Sequence, residues 1–343
     1  MRARRGLLLA SLLSLAWGWA RQEPAPGPAA ALADAARAVL ATMTPEQKSR
    51  AHLPFADAAR ADWHFTPRER PGVSLLDLDA EQRVAVGLLL RAALGDAGRE
   101  QVGAVQELDA VLRQMAERRG QSAAIRDPLL YDLAIFGEPS ANGPWAFRFE
   151  GHHVSITVAS DGQGNHSFSP CFLGASPLRI PEGPREGQRV LAAREDLARS
   201  FFLGLDAAQR KAAHVADAAL PELLLAPGVA LRRLEPAGVA GRDLDERQRR
   251  DLLGVIGQFL GDVHPELGGR ALLAQAEEQI EEIHFAWLGA PERGAAHGFR
   301  VQTPRLVIEW TTAQGDPNHV HAAWRDLERD VSRGWGMPQA EAR

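Results

Sequence analysis

The chain has 343 residues, a formal charge of −5, 45% hydrophobic and 24% charged residues, and a single cysteine. An acidic balance without a basic block argues against nucleic acid as a partner, and one thiol excludes an internal disulfide. Stability must come from a packed core, which a chain of this length can bury.

At the N-terminus Arg2, Arg4 and Arg5 precede the apolar run GLLLASLLSLAWGW, with Gly18 and Ala20 placed where a signal peptidase reads small residues. That layout predicts a signal peptide over residues 1–20 and a secreted or periplasmic mature protein. The run spans about 14 residues, short of the roughly 20 a membrane helix needs, and no longer one follows it, so no stable membrane insertion is expected after cleavage. Residues 21–30 read as a flexible Pro/Ala tether. Residues 31–335 read as one globular domain, and 336–343 as a tail.

Beyond the tether, apolar residues recur at helical spacing over Leu32 to Met43, Asp79 to Leu94, Gln101 to Arg118, Ala193 to Leu203 and Leu244 to Leu260. Thr44-Pro45-Glu46 and Asp79-Ala80-Glu81 are helix starts with a capping side chain and an early acid. Between the helices, WAFRFEGHHVSITVAS and FRVQTPRLVIEWTT are rich in β-branched and aromatic residues and read as strands. Gly162 to Asn165 reads as a hairpin turn.

The two strand stretches share an order of features, with Phe147-Arg148 matching Phe299-Arg300. Upstream, LDAEQR at Leu78 to Arg83 matches LDERQR at Leu244 to Arg249, and PEQK near Gln47 matches AAQRK near Gln209. The expectation is an α+β fold, helix-rich, in which two duplicated helix-helix-strand halves, about 44–160 and 205–313, share a mixed or antiparallel sheet.

Strand alternation then groups the polar residues. Apolar positions shift phase at Gly151, read as a bulge or tight turn. Past it His153, Ser155 and Thr157 share a face opposite the apolar set, and Glu309 matches Thr157 in the second copy. His319 and His321 lie two apart in an extended segment and so point the same way. This H-x-H pair, with His153 or His152 and Glu309, suits a divalent metal: zinc, with copper or iron as alternatives. An open fourth position would lower the pKa of a bound water. Arg148 and Arg300 are placed to clamp a carboxylate, or to serve as paired surface cations. Trp145, Trp287, Trp310 and Trp324 are either a pocket wall or core. Cys171 reads as a small buried residue. No G-x-S-x-G elbow, H-E-x-x-H helix, P-loop or G-x-G-x-x-G turn is present.

The stretches RPGVSLLDLDAEQR, DPLLYDLAIFGEP, WAFRFEGHHVSI, FSPCFLGASP, IHFAWLG, LVIEW and NHVHAAWRD resemble a family of secreted proteins grouped as domain of unknown function 3500, over about Ala38 to Asp330. The family name assigns no activity. The resemblance carries its GHH motif to Gly151, His152 and His153, its acidic strand to Glu309, and its NHxHxxWRD motif to Asn318, His319, His321, Trp324, Arg325 and Asp326. It implies binding roles for His152, Asn318, Trp324 and Arg325. This chain departs from the expected pattern after Glu309, at HGFR near His297, and in DVSRGWGMPQ.

Two functions fit these residues. One is a secreted metal-dependent hydrolase or oxidoreductase on a small polar substrate, with His153, His319, His321 and Glu309 as ligands or acid/base groups. The other is a periplasmic or extracellular protein that holds a small-molecule ligand or a metal without catalysis. For the leader, N-terminal sequencing of exported protein is expected to start at or near Arg21; Met1 or Arg2 at the terminus of secreted material would overturn the signal peptide.

Overall fold

The computed structural model describes residues 27–336; the expected signal peptide, most of the expected tether and nearly all of the expected tail lie outside them. The chain runs α1 (Pro28–Thr42), α2 (Pro45–Ala51), β1 (His52–Leu53), β2 (Val73–Ser74), α3 (Ala80–Ala93), α4 (Asp96–Arg118), β3 (Tyr131–Phe136), β4 (Trp145–Gly151), β5 (Val154–Ser160), β6 (His166–Ser167) and β7 (Cys171–Ala175). It continues α5 (Ala192–Leu203), α6 (Ala207–Ala213), β8 (His214–Ala216), β9 (Val239–Ala240), α7 (Glu246–Leu260), α8 (Gly269–Glu278), β10 (His284–Gly289), β11 (His297–Gln302), β12 (Leu306–Thr312) and β13 (Val320–Asp326). The fold is α+β, with eight helices and a sheet of 13 strands among the described residues.

All the strands belong to one mixed sheet, in the order β1-β3-β4-β5-β7-β13-β12-β11-β10-β8, with β2, β6 and β9 pairing β3, β5 and β10. β1 with β3 and β8 with β10 run parallel; the other pairs are antiparallel. The sequence pattern over-weights helices because the central strands are buried on both faces, so their alternation is partly hidden. β3, β7 and β10 escape a strand reading for that reason.

One face carries Phe147, Phe149, Ile156, Val158, Leu173, Val320, Trp324, Ile308, Trp310, Phe299 and Trp287, packed beneath the helices in one continuous core. Trp145, Trp287, Trp310 and Trp324 all lie there, so they are core, and none of them lines the cleft beside the histidines. Cys171 is buried with them, and burial pushes its thiol up, away from reactivity. The opposite face is covered only by irregular segments and carries smaller clusters, including Trp63, Phe65, Phe172, Leu223, Ala226 and Ala323.

Helix starts follow the sequence signals. Thr44, Asp79, Asp206 and Asp245 each close a capping box with a glutamine three residues on. Those glutamines also bond in pairs. Gln82 donates to Gln47 at 2.8 Å and Gln47 to the Asp77 carbonyl at 2.8 Å; Gln248 donates to Gln209 at 2.7 Å and Gln209 to the Asp243 carbonyl at 2.8 Å. Gln82 and Gln248 are buried, so removing either side chain orphans several polar groups. Gln82→Ala and Gln248→Ala are each expected to lower the unfolding free energy by about 1–3 kcal/mol in urea titrations; no loss in one of them would show that the two pairs are not doing the same job.

Candidate metal centre

The site begins at the β4–β5 hairpin. Gly151 pairs with Val154, so His152 and His153 are the two turn residues rather than the first residues of a strand. Gly151 is required there because a Cβ would lie 2.3 Å from the Tyr131 ring. His153 takes φ +61°, a left-handed conformation uncommon outside glycine, although histidine is among the side chains found there more often. Its N–H donates to the Phe65 carbonyl at 2.9 Å, and its carbonyl accepts from Gly174 at 2.8 Å. From the middle of the sheet, β13 brings His321 opposite Gly174 on one side and Thr311 on the other. His319, just before β13, is fixed by backbone bonds to Ala313 and Asp316.

These placements converge. One nitrogen each of His153, His319 and His321 lie within 4.8 Å of one another, and His319 Nε2 is 3.1 Å from His153 Nε2. Zinc with ligands at about 2.0–2.1 Å in a tetrahedron separates its donors by roughly 3.4 Å, so small side-chain shifts suffice. His321 Nδ1 faces both Glu222 oxygens at 2.9 Å, which puts its proton on Nδ1 and leaves Nε2 with a lone pair. That Nε2 is buried and has no hydrogen-bond partner. Burial first, then the neighbouring histidines, hold His153 well below the ordinary histidine range and bring His319 to about 4. Both rings are therefore neutral at pH 7, as ligation requires. They front a cleft of about 380 Å³ whose walls include His64, Thr66, Glu222 and Gln314.

Of the two candidate hairpin histidines, His153 joins the trio. His152 stacks on it at 4.0 Å between centroids, and its Nδ1 meets Asp109 at 2.7 Å. Tyr131 donates to Asp109 and to the His152 carbonyl, at 3.1 and 2.8 Å. His319 and His321 share one side as the alternation requires, with Val320 in the core opposite.

Glu309 shares the site's face of the sheet but is not in the trio. Its carboxylate accepts the N–H groups of Leu224 and Leu225 at 2.7 and 3.0 Å. Burial pushes its pKa up, opposed by those two bonds. It anchors the loop that presents Glu222. Arg148 is not a ligand clamp: it is buried, donates to the Ala59 carbonyl at 2.8 Å and pairs with Glu150 at 3.4 Å. Arg300 donates to the Glu235 carbonyl at 3.1 Å. Asn318 sits outside the cleft wall, bonding the Arg179 backbone through both amide atoms at 2.7 and 3.0 Å. Arg325 is buried against Asp330 at 2.6 Å and holds the Leu225 carbonyl at 2.9 Å. Trp324 points into the helix-side core.

Glu222, Asp109 and His64 were not legible as site residues. Glu222 sits in an irregular segment, PELLLAPG, with no periodicity to aim it. Asp109 is one acid among many on α4; its burial beneath Tyr131 and His152 is set by tertiary packing alone.

The molecule is therefore an α+β protein with a three-histidine centre that can hold a metal ion, built at the junction of two strand groups. Its sequence places it among the proteins of unknown function DUF3500: that family's profile matches residues 26–333, and the chain belongs to it. No curated protein and no solved structure matches the chain.

Room for the His153 ring depends on Gly174, where a Cβ would lie 3.1 Å from that ring and 2.9 Å from the Val320 carbonyl. Gly174→Ala is expected to weaken zinc affinity about 10–100-fold, the range seen when a ligand loses its support. Calorimetric zinc titration checks it; unchanged affinity in a folded variant would mean the ring is not held there.

Proposed function

We propose that this protein is an exported metal-dependent hydrolase that acts on a small polar substrate at the His153–His319–His321 centre. The observation that carries the reading is the donor set: three imidazoles converge, and one of them is oriented by a carboxylate on its far nitrogen. Nitrogen donors without thiolate or thioether among the cleft residues favour zinc. Three protein ligands would leave a position open, and zinc held there would supply a water ionisable near neutral pH. His153, His319 and His321 would hold the ion, Glu222 fixes the tautomer of His321, and Glu309 with Arg325 holds the Glu222 loop. Export is supported by the arginine-led apolar leader, and no described helix is long and apolar enough to cross a membrane.

The same reading takes 44–160 and 205–313 as pseudo-repeats. Support comes from matching capping boxes, from the Gln47–Gln82 and Gln209–Gln248 pairs, and from the position of each parallel edge strand. The centre then lies at the seam where β7 meets β13, with ligands from both sides.

Elemental analysis of purified mature protein is expected to find about one zinc per chain, lost in His319→Ala and His321→Ala. A panel of ester, amide and phosphoester substrates is expected to give turnover that chelator removes and zinc restores. Zinc bound without turnover on any substrate would leave a binding protein; no metal in the wild type would end the reading.

A further inference from the structure

His64 lies in the wall of the same cleft, in the segment between β1 and β2. Its backbone N–H donates to Glu150 at 2.6 Å, so a buried carboxylate fixes where the residue starts. Phe65, next in the chain, packs 4.6 Å from the His321 ring, between centroids, and accepts the His153 N–H on its carbonyl. The segment is thus tied to two of the three centre histidines while His64 itself touches none of them.

The hydrogen bonds to the ring decide its tautomer. Nδ1 lies 3.1 Å from the Phe65 N–H, 3.3 Å from the Thr66 N–H and 3.0 Å from the Thr66 hydroxyl. Backbone N–H groups only donate, so Nδ1 must accept and the ring proton must sit on Nε2. Protonating Nδ1 would set two N–H groups against a third, so the geometry disfavours the imidazolium as well.

We propose that His64 is a fixed neutral hydrogen-bond donor whose Nε2–H stabilises negative charge on a substrate oxygen during hydrolysis at the neighbouring centre. The role rests on the hydrolase reading and narrows its substrates to those with a carbonyl or phosphoryl oxygen that gains charge on attack. For a carbonyl, a water oxygen forms a bond to carbon while the π pair moves onto the carbonyl oxygen. The water's proton leaves to solvent in the open cleft. Collapse then returns that pair and expels the leaving group, and His64 keeps its proton throughout. A neutral donor suits the task because it need not be reprotonated at pH 7. Its surroundings agree: burial lowers its pKa first, Arg68 and Arg70 lower it further, and Glu150 and Asp62 oppose them.

Two measurements on the full mature protein test the role. Imidazole ¹⁵N NMR, read on the wild type, is expected to show His64 as the Nε2–H tautomer from pH 6.5 to 8, a range set around the ordinary histidine pKa of about 6.5. An Nδ1–H tautomer, or a ring half-protonated at pH 6.5 or above, overturns the proposal. The second uses inorganic phosphate as an oxyanion probe on zinc-loaded protein. His64→Phe is expected to weaken phosphate binding at least about tenfold, with zinc content unchanged, while His64→Gln, which keeps an acceptor and a donor, retains most of it. Equal phosphate affinity in His64→Phe and wild type, or no phosphate binding by zinc-loaded wild type, sinks the donor role. Absence of zinc from the wild type sinks the hydrolase reading instead, and the NMR result still decides the tautomer.

Discussion

The missing side chain at Gly174 governs the rest of the site. β7 and β13 are the neighbouring strands at which the two strand groups meet, and Gly174 faces His321 across that seam. Only backbone there lets the β4–β5 hairpin fold its second turn residue over the sheet, and the Gly174 N–H bonds the carbonyl of that residue. The left-handed turn that this needs is a strained choice for histidine. Gln314, another of the three non-glycine residues at positive φ among those described, also lines the cleft. Strain is concentrated where the rings converge, and the rigid sheet beneath absorbs it.

Around that point, the sheet's second face is held by buried charge. Arg148, Glu150, Glu309 and Arg325 are each no more than 5% exposed, and ions so placed are costly unless paired or hydrogen-bonded. Here each one bonds backbone from an overlying loop: Arg148 the Ala59 carbonyl, Glu150 the His64 N–H, Glu309 the Leu224 and Leu225 N–H groups, Arg325 the Leu225 carbonyl. Thr311 adds a bond to the Leu220 carbonyl at 2.5 Å, and the Gln314 N–H one to Pro221 at 3.0 Å. The loops bury only small apolar clusters of their own, such as Trp63 and Phe65 with Leu223, and these bonds add to them in holding Phe65, His64 and Glu222 near the centre. Truncating any of the four would leave a buried polar group unpaired and release the loop it holds.

That arrangement explains what could be read from sequence. Period-two alternation set His319 and His321 on one side and Val320 on the other, because it depends only on strand geometry. Capping signals located α2 and α3, and helical spacing α7, for an equally local reason. Alternation puts Glu309 on the site's face but does not say what lies above a strand, and a loop 84 and 85 residues away in sequence claims its carboxylate. Of the two readings of the phase shift at Gly151, bulge or tight turn, the structure has the turn, and His153 is its second residue, not a strand residue sharing a face with Ser155 and Thr157. The four tryptophans cluster near the histidines in sequence yet lie on the opposite face, since neighbours along a strand alternate sides. Glu222 needs the whole tertiary structure before it has any meaning.

What separates the centre from an ordinary polar cluster is its hydrogen-bond balance. A buried histidine kept for structure normally satisfies both ring nitrogens. His321 satisfies one, with a carboxylate that fixes the proton on Nδ1, and points its other lone pair at two more imidazoles. His319 and His153 can share at most one proton across their 3.1 Å contact, since either Nε2 donates only if the other accepts. A buried acceptor left without a partner costs about 1–3 kcal/mol, and His153 adds the cost of its left-handed backbone. Evolution for stability alone would replace such an arrangement with apolar side chains, which that face accepts elsewhere at Phe172 and Ala323. Local rules are broken together at one convergent point, and that sets the cluster apart from the rest of the same face.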